Sequence, residues 1–209
     1  MDMTNLLYIH GMGGGGDSRI PSILQSVTST DINVVVRTYS FDPEVAQGQI
    51  QSWVDEIKPA LIIGESLGSL HAIKIEGIPH LYVSPALNAS LYFEFMAWLC
   101  LIPGVGRIFD KIYKPREGDR QVLRFRFSTL RKYLTHRKTA LSVAMSTGYH
   151  FAFFGTQDHY RKSGVVSVRT WEKYFGKSYK LYDGTHFMEE EFILLDLLPK
   201  IHEVLNNNK

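Results

Sequence analysis

Residues 60–68 are Ala60-Leu61-Ile62-Ile63-Gly64-Glu65-Ser66-Leu67-Gly68, and this stretch decides the fold. Its first four residues are all apolar and two are β-branched, which predicts a short strand buried on both faces. A helical pattern follows directly, over residues 67–76. The G-x-S-x-G pattern between them predicts a sharp strand-to-helix turn that presents the Ser66 hydroxyl above the sheet edge. The alternative is that Ser66 merely caps the helix that follows.

Strands and helices alternate on both sides of this turn. Further strands are predicted at residues 6–9, 32–36, 81–83 and 151–154, with a weaker, alternating edge strand at 179–182. Helices are predicted at about 18–29, 45–57 and 165–174, and a last one reaches Leu205, with a kink or a new start at Pro199. Because parallel strands require crossover helices, the pattern predicts an α/β fold, a three-layer sandwich with a mostly parallel central sheet.

One segment interrupts this alternation. Residues 88–149 contain no clear buried strand and are too long for a simple connection, which predicts a mainly helical insertion, placed as a lid. Within it, one amphipathic helix is indicated by Val105, Ile108, Phe109, Ile112 and Tyr113. Alternation at Leu123, Phe125 and Phe127 leaves a further strand open. We therefore expect one domain over residues 1–209, with the insertion at about 88–149.

The composition is that of a globular protein. The chain has 209 residues, 44% hydrophobic and 21% charged, with a single cysteine, Cys100. Disordered, collagen-like and disulfide-scaffold classes are excluded, and one thiol favours a reducing compartment. The most apolar stretch, residues 91–102, contains Glu94 and is shorter than the ~20 residues that cross a bilayer. With an acidic residue at the position of a signal peptide's lysines, we expect a soluble cytoplasmic protein without a transmembrane segment.

A glycine-rich loop, residues 10–16, follows the first predicted strand. It contains G-x-G-x-x-G at residues 11–16, the dinucleotide fingerprint, and Arg37 stands where a 2′-phosphate ligand would be needed. It also approaches a P-loop, but Asp17 replaces the essential lysine and would repel phosphate. A third interpretation is an oxyanion loop whose backbone N–H groups face a substrate oxygen. A flexible turn is the fourth, and the loop alone does not decide between them.

A serine hydroxyl becomes a nucleophile only when a base accepts its proton and an acid orients that base. His186 lies in a glycine-containing loop after the last predicted strand, a position above the carboxyl edge of the sheet. Asp158 follows the strand at 151–154 at the same edge, whereas Asp183 is expected to shape its turn. The chain order Ser66, Asp158, His186 is the order that such triads take in this kind of sheet. Three other histidines are expected to be structural: His71, His80 and His202.

These features together resemble the α/β-hydrolase superfamily, and within it the small bacterial esterases of the YqiA type. The resemblance is carried by His10-Gly11, Gly64 to Gly68, residues 84–88, residues 155–158 and residues 184–187, and covers most of the chain except 88–149. It implies a serine esterase without cofactor or metal that acts on a small-molecule ester or thioester. Ser66, Asp158 and His186 would be catalytic, with the oxyanion held by the N–H groups of Met12 and Leu67.

The sequence departs from the family pattern next to the serine. Glu65 stands where many members carry histidine or serine, and Ser69 stands where a second glycine is common. Neither change removes a catalytic group. Four consecutive glycines, residues 13–16, are also more than the family usually has, which bears on the geometry of the oxyanion loop.

The net charge of +2 conceals an uneven distribution. Residues 88–149 carry 11 basic and 4 acidic side chains, whereas the rest of the chain carries 12 and 17. The basic run is either a solvated face or a surface that attracts an anionic substrate. Nucleic-acid binding is not expected, because no binding motif accompanies the charge. Two other functional classes stay open at this point, an NADP-binding oxidoreductase and a non-catalytic interaction module on the same scaffold.

Overall fold

The central sheet has six parallel strands in the computed structural model, which describes residues 3–28, 31–115, 117–144 and 148–207. Its spatial order is β2-β1-β3-β4-β5-β6, and each neighbouring pair is parallel. The strands are β1 (Thr4–Ile9), β2 (Ile32–Val36), β3 (Leu61–Glu65), β4 (His80–Val83), β5 (His150–Gly155) and β6 (Tyr179–Tyr182). The predicted mostly parallel α/β sheet is confirmed, with Tyr179–Tyr182 at its edge.

Helices connect successive strands. The crossovers contain α1 (Arg19–Val27), α2 (Pro43–Ile57), α3 (Ser69–Ala72), α7 (His159–Lys162) and α8 (Val168–Phe175). After β6 the chain forms α9 (Glu190–Phe192), a π-helical turn (Ile193–Leu197) and α10 (Leu198–Asn207). Pro199 lies in the first turn of α10, which agrees with the predicted new start, because proline donates no hydrogen bond to the preceding turn.

Two hydrophobic cores cover the two faces of the sheet. Alternate residues of β1 face opposite sides, so that Leu7 belongs to the core that includes residues of α2, α3 and α8, whereas Leu6 belongs to the core that includes residues of α1 and α10. Both leucines are fully buried. The result is the three-layer sandwich expected from apolar strands joined by crossover helices. The edge strand β2 is a partial exception, since only Val34 of its five residues is buried, although both faces were predicted to be covered.

Three helices occupy the segment between β4 and β5. They are α4 (Ala89–Leu99), α5 (Val105–Ile112) and α6 (Phe127–Val143), and α4 packs closely along α6. The predicted helical character of this segment and its amphipathic helix are therefore confirmed. Arg116 and residues 145–147 of the segment lie outside the described residues, as does Ser29 at the predicted end of α1. In the part of the chain that the structure describes, no helix is long and apolar enough to span a membrane.

Two predicted elements differ in the structure. The helix after Ser66 was expected to reach residue 76, but α3 ends at Ala72 because the chain tightens into three-residue turns at Lys74 and Ile75. The open possibility of a strand at residues 123–127 is wrong. There the Phe125 amide donates to the Asp110 carboxylate at 2.8 Å, so a side chain satisfies it instead of a neighbouring strand.

Candidate active site

Ser66 lies at a sharp turn between β3 and the helix that follows. Its φ of 49° is in the left-handed region, which is rare for a residue with a side chain and is sustained by the surrounding packing. The two flanking glycines are required by close approach. A Cβ on Gly64 would lie 3.0 Å from the Ala72 Cβ, and one on Gly68 would overlap the carbonyl oxygens of Ile9 and His10. The turn therefore needs glycine on both sides of the serine.

Ser66, His186 and Asp158 form one chain of hydrogen bonds. His186 Nε2 lies 2.9 Å from Ser66 Oγ, and His186 Nδ1 lies 2.8 Å from Asp158 Oδ2. His186 and Asp158 are only 4% and 2% exposed. With Nδ1 protonated toward the carboxylate, Nε2 is left as an acceptor for the serine proton. The structure thus brings together the three residues that the sequence selected, from loops that follow β3, β5 and β6.

Asp183, the competing acid, faces a different loop. Its Oδ1 accepts hydrogen bonds from the Thr156 hydroxyl at 2.8 Å and from the Gln157 amide at 3.1 Å, and these bonds lower the pKa of the carboxyl. Asp183 therefore joins the loops after β5 and β6. Its place three residues before His186 predicted a turn-shaping role, whereas its hydrogen bonds reach the loop after β5.

The loop that carries His186 is fixed by contacts that sequence reasoning missed. The Thr185 amide donates to both carboxylate oxygens of Glu189, each at 3.1 Å, and the Tyr182 hydroxyl donates to Thr185 O at 2.7 Å. Directly after His186 in the same loop, the carbonyl oxygens of Phe187 and Met188 accept hydrogen bonds from Arg19, the latter at 2.6 Å. No sequence pattern marked Arg19, because its partners are backbone atoms more than 160 residues away.

Four backbone N–H groups of the glycine-rich loop already donate hydrogen bonds to acceptors within the protein. A pyrophosphate would need these donors, so the structure gives the dinucleotide alternative no support. The donor–acceptor pairs are Gly13 to Gln121 Oε1, Gly14 to Gly11 O, Gly15 to Ser18 Oγ and Gly16 to Thr38 Oγ1, at 3.0–3.1 Å. Arg37, the candidate 2′-phosphate ligand, is occupied by a two-bond ion pair with Glu56 at 2.7 Å.

Met12 differs from the glycines that follow it. Within the described residues, its N–H has no hydrogen-bond partner in the protein. Gly11, directly before it, approaches the serine so closely that a Cβ there would lie 3.7 Å from Ser66 Oγ. Leu67 is in the first turn after Ser66, where N–H groups lack an intrahelical acceptor. Met12 and Leu67 both line the cavity that contains Ser66.

His10 shapes the base of this loop. It is fully buried and its ring stacks on Tyr39 at 4.1 Å between centroids, while Nδ1 donates to Gly11 O at 2.7 Å. Burial lowers its pKa to about 4, so the ring is neutral at physiological pH. A Cβ on Gly14 would lie 2.9 Å from the His10 ring, and the loop therefore folds around the imidazole.

Glu65, the departure beside the serine, has a structural contact. Its Oε2 accepts a hydrogen bond from the Tyr8 hydroxyl at 2.9 Å and a longer one from the Gly11 amide at 3.4 Å. Burial, followed by the neighbouring Glu65 charge, raises the pKa of Tyr8 well above its ordinary value. Glu65 thus ties the end of β1 and the start of the glycine-rich loop to the turn at Ser66.

The three histidines expected to be structural lie apart from this chain of contacts. His71 and His80 are buried in the interior, and burial lowers the pKa of both, with His80 at about 3. His202 is exposed on α10. Among the residues described, no group of three or more His, Cys, Asp or Glu side chains is arranged to hold a metal ion.

Two cavities meet at Met12 and Gly11. The larger, about 360 Å³, contains Ser66 and His186 and has a mainly apolar wall. The smaller, about 180 Å³, is more polar and is bordered by Arg19, Glu65 and Arg120. The apolar wall of the larger cavity comes from Leu67, Ala86, Ala89, Tyr92, Phe93, Met96, Tyr113, Phe125, Tyr160 and Val165. An apolar chain placed in it would end beside the serine hydroxyl.

Comparison of the sequence with protein-family models and with curated proteins gives no match. Solved structures do resemble the chain at low identity. An esterase from Thermogutta terrifontis is 10% identical, with a TM-score of 0.65 over 97% of this chain and 91% of that one. A carboxylesterase from the archaeon Nitrososphaera gargenis is 11% identical, with 0.59 over 99% and 92%. A fluorophosphonate-binding serine hydrolase from Staphylococcus aureus is 11% identical, with 0.60 over 98% and 84%.

These neighbours match nearly the whole chain at TM-scores of 0.59–0.65, and at identities of 10–11% the likeness shows the fold alone. The protein therefore has the α/β-hydrolase fold.

Proposed function

We propose that this protein is a serine hydrolase that cleaves a carboxylic ester or thioester through an acyl-enzyme intermediate. The observation that carries the proposal is the continuous chain from Ser66 Oγ to His186 to Asp158, at 2.9 and 2.8 Å, at the wall of an apolar cavity. A buried carboxylate, an imidazole and a strained serine in contact are the parts that acyl transfer requires. As a finer part of the proposal, the enzyme is cytoplasmic and of the small bacterial esterase type.

The first half of the reaction forms the acyl-enzyme. Ser66 Oγ attacks the carbonyl carbon of the substrate while His186 Nε2 accepts the hydroxyl proton. Asp158 keeps the imidazole in the required tautomer and stabilises its cationic form. The protonated His186 then donates its proton to the oxygen or sulfur of the leaving group, which departs as an alcohol or thiol.

Water completes the cycle. His186 accepts a proton from a water molecule, whose oxygen attacks the acyl carbon on Ser66. The acyl group leaves as a carboxylic acid, and the proton returns from His186 to Ser66 Oγ. Each proton that the imidazole accepts is thus given back within the same half-reaction.

The negative oxygen formed in both halves needs donors already in place. We assign this role to the backbone N–H groups of Met12 and Leu67. The Met12 N–H has no acceptor in the described protein, whereas Gly13 to Gly16 are all engaged. The four-glycine loop therefore supplies one donor to the reaction and holds the rest of itself in shape.

Hydrolysis of short p-nitrophenyl esters tests the proposal. We expect Ser66→Ala to lower kcat by about 10⁴ or more and Asp158→Asn to lower it by about 10³–10⁴, because each breaks the proton relay. Asp183→Asn is the matched control, since Asp183 bonds to Thr156 and Gln157 and not to His186. It should stay within a few-fold of the wild type. Full activity of Ser66→Ala would overturn the proposal.

A further inference from the structure

The helical insertion presents an apolar face that stays largely exposed, although the Trp98 ring contacts Phe127 at 5.4 Å between centroids. On α4 the exposed side chains are spaced at helical intervals, at Leu91, Phe95, Trp98 and, just beyond the helix, Ile102. Phe95 is 68% exposed and Trp98 55%. The opposite side of the same helix buries Phe93 and Ala97. The helix is therefore apolar on both sides, and one of them is largely exposed.

The short helix α5 also exposes apolar side chains. Ile108 and Ile112 are one turn apart and exposed at 54% and 66%, and no residue of α5 is fully buried. An apolar face that is kept out of the core marks a contact surface. We use the term apolar rim for six exposed apolar residues of α4, α5 and the segment between them. They are Leu91, Phe95, Trp98, Ile102, Ile108 and Ile112.

Unpaired positive charges accompany the rim. Arg107 and Lys111 on α5 and Lys114 just after it are exposed, and none of them forms an ion pair within the described residues. The acidic groups of the two helices are neutralised, Glu94 by Arg131 at 2.6 Å and Asp110 by Arg126 at 3.0 Å. The two helices therefore present a net positive charge.

Most other basic residues of the insertion are already engaged. Arg120 pairs with Asp17, Arg124 and Arg126 with Asp110, Lys132 with Asp42 and Glu44, and Arg137 donates to Leu87 O and Asn88. Among the described residues, the excess of charge seen in the sequence thus resolves into engaged structural cations, the three free ones on α5 and its end, and Lys138 on α6.

The rim adjoins the entrance of the candidate active site. Tyr92 on α4 and Tyr113 at the end of α5 are 44% and 41% exposed, and both also line the cavity that contains Ser66. A surface bound at the rim would therefore face the opening of the apolar cavity.

We propose that the apolar rim docks on an anionic lipid surface, from which a long-chain acyl ester enters the cavity. The substrate part of this inference rests on the proposed function. Exposed apolar and aromatic side chains with adjacent basic residues are what binding in the headgroup region requires. A second copy of the chain fits less well, because a two-fold contact through the rim would bring two copies of the unpaired Arg107, Lys111 and Lys114 cluster into one interface.

Vesicle binding tests the docking without using activity. Ser66→Ala protein is mixed with phosphatidylcholine vesicles containing 30% phosphatidylglycerol, or with phosphatidylcholine alone, and binding is followed by co-sedimentation and tryptophan emission. Trp98 is in the rim, whereas Trp171 is fully buried. We expect a blue shift with anionic vesicles that is lost in Trp98→Phe, and at least tenfold weaker binding to neutral vesicles or in 0.5 M salt.

Variants separate the apolar and charged contributions. Two multiple variants should each weaken binding at least tenfold: Ile108→Asp/Ile112→Asp and Arg107→Gln/Lys111→Gln/Lys114→Gln. In the second variant, each neutralised cation contributes about fivefold to the loss. The matched controls are Leu195→Asp, 64% exposed on the opposite face of the sheet, and Lys177→Gln, also exposed; both should bind as the parent does.

Three results would overturn the docking proposal. They are equal binding to neutral and anionic vesicles, no effect of the rim variants, and a concentration-dependent dimer without lipid that Ile112→Asp abolishes. The last result would assign the rim to a second copy. Hydrolysis of a soluble short ester by the wild type, measured in parallel, shows whether the proposed function holds independently of the docking.

Discussion

Arg19 donates a hydrogen bond to the Met188 carbonyl oxygen at 2.6 Å, and the same guanidinium also contacts Phe187 O. Arg19 is the first residue of α1, directly after the glycine-rich loop, and Met188 lies two residues after His186. The φ of Met188 is 46°, so the chain is held there in an unfavourable conformation. The contact thus joins the two loops on either side of Ser66.

Removal of this contact is expected to impair catalysis more than folding. Arg19→Ala should lower kcat/KM by about 10- to 100-fold, because a shift of His186 by about 1 Å is enough to misalign proton transfer. Arg19→Lys should restore part of the loss, since an ammonium group still donates to carbonyl oxygens. Arg37→Ala is the matched control, because it removes an arginine paired with Glu56 on the surface. Equal losses in both variants would refute a positioning role for Arg19.

The turn at Ser66 depends on the absence of a side chain at Gly68. Gly68→Ala is expected to destabilise the protein by several kcal/mol and to abolish activity, because its Cβ would overlap two backbone oxygens of β1 and the following loop. Gly48→Ala, in the exposed interior of α2, has no atom within 4 Å of the new Cβ and should stabilise by about 0.5–1 kcal/mol. Urea unfolding measures both changes, and a neutral Gly68→Ala would contradict the packing described here.

The apolar cavity should determine acyl-chain length. Met96 lines its wall, so Met96→Trp is expected to lower kcat/KM for octanoyl p-nitrophenyl esters at least tenfold and to leave acetyl esters within about twofold. The acetyl ester is the internal control, because its short chain does not reach the enlarged side chain. An equal loss on both esters would place the acyl chain elsewhere.

Buried histidines should make stability depend on pH. Burial lowers the pKa of His10 and His136 to about 4 and that of His80 to about 3, and it also lowers the pKa of His71. Between the ordinary value of about 6.5 and these values, the unfolded chain binds more protons than the folded one, so stability decreases as pH falls. Each such histidine contributes up to about 1.4 kcal/mol per pH unit in that interval.

The urea midpoint is therefore expected to be clearly lower at pH 5 than at pH 7.5. His136→Gln should reduce this difference, because it removes one of the buried groups. The exposed His202→Gln serves as its control and should leave the difference unchanged. A midpoint that stays constant or rises on acidification would show that these histidines are not held neutral.

The order of strands and helices along the chain, and the three side chains of the proposed catalytic site, could be predicted from local patterns. Apolar runs ended by glycine marked the strands, and residues directly after the ends of parallel strands necessarily share one edge of the sheet. This is why Ser66, Asp158 and His186 could be selected from the sequence before their distances were known. The edge position of Tyr179–Tyr182 followed from its alternation in the same way.

Contacts between side chains and backbone atoms could not be predicted. Arg19 and Glu189 hold the His186 loop through main-chain groups, which leave no trace in residue type. The alternation at Leu123 and Phe125 resembled a strand because both side chains enter the core, yet the backbone there bonds to side chains and loops. The glycine-rich loop was ambiguous for a related reason, since its four occupied amides depend on residues such as Gln121 and Thr38.

The most direct test of the central claim is covalent labelling by a fluorophosphonate. The reagent phosphonylates a serine only when a base activates the hydroxyl and the site stabilises negative charge. We predict that the folded wild type is labelled, with the adduct mapped by mass spectrometry to Ser66, and that Ser66→Ala is not labelled. An unlabelled wild type, or an adduct at another serine that persists in Ser66→Ala, would contradict the account.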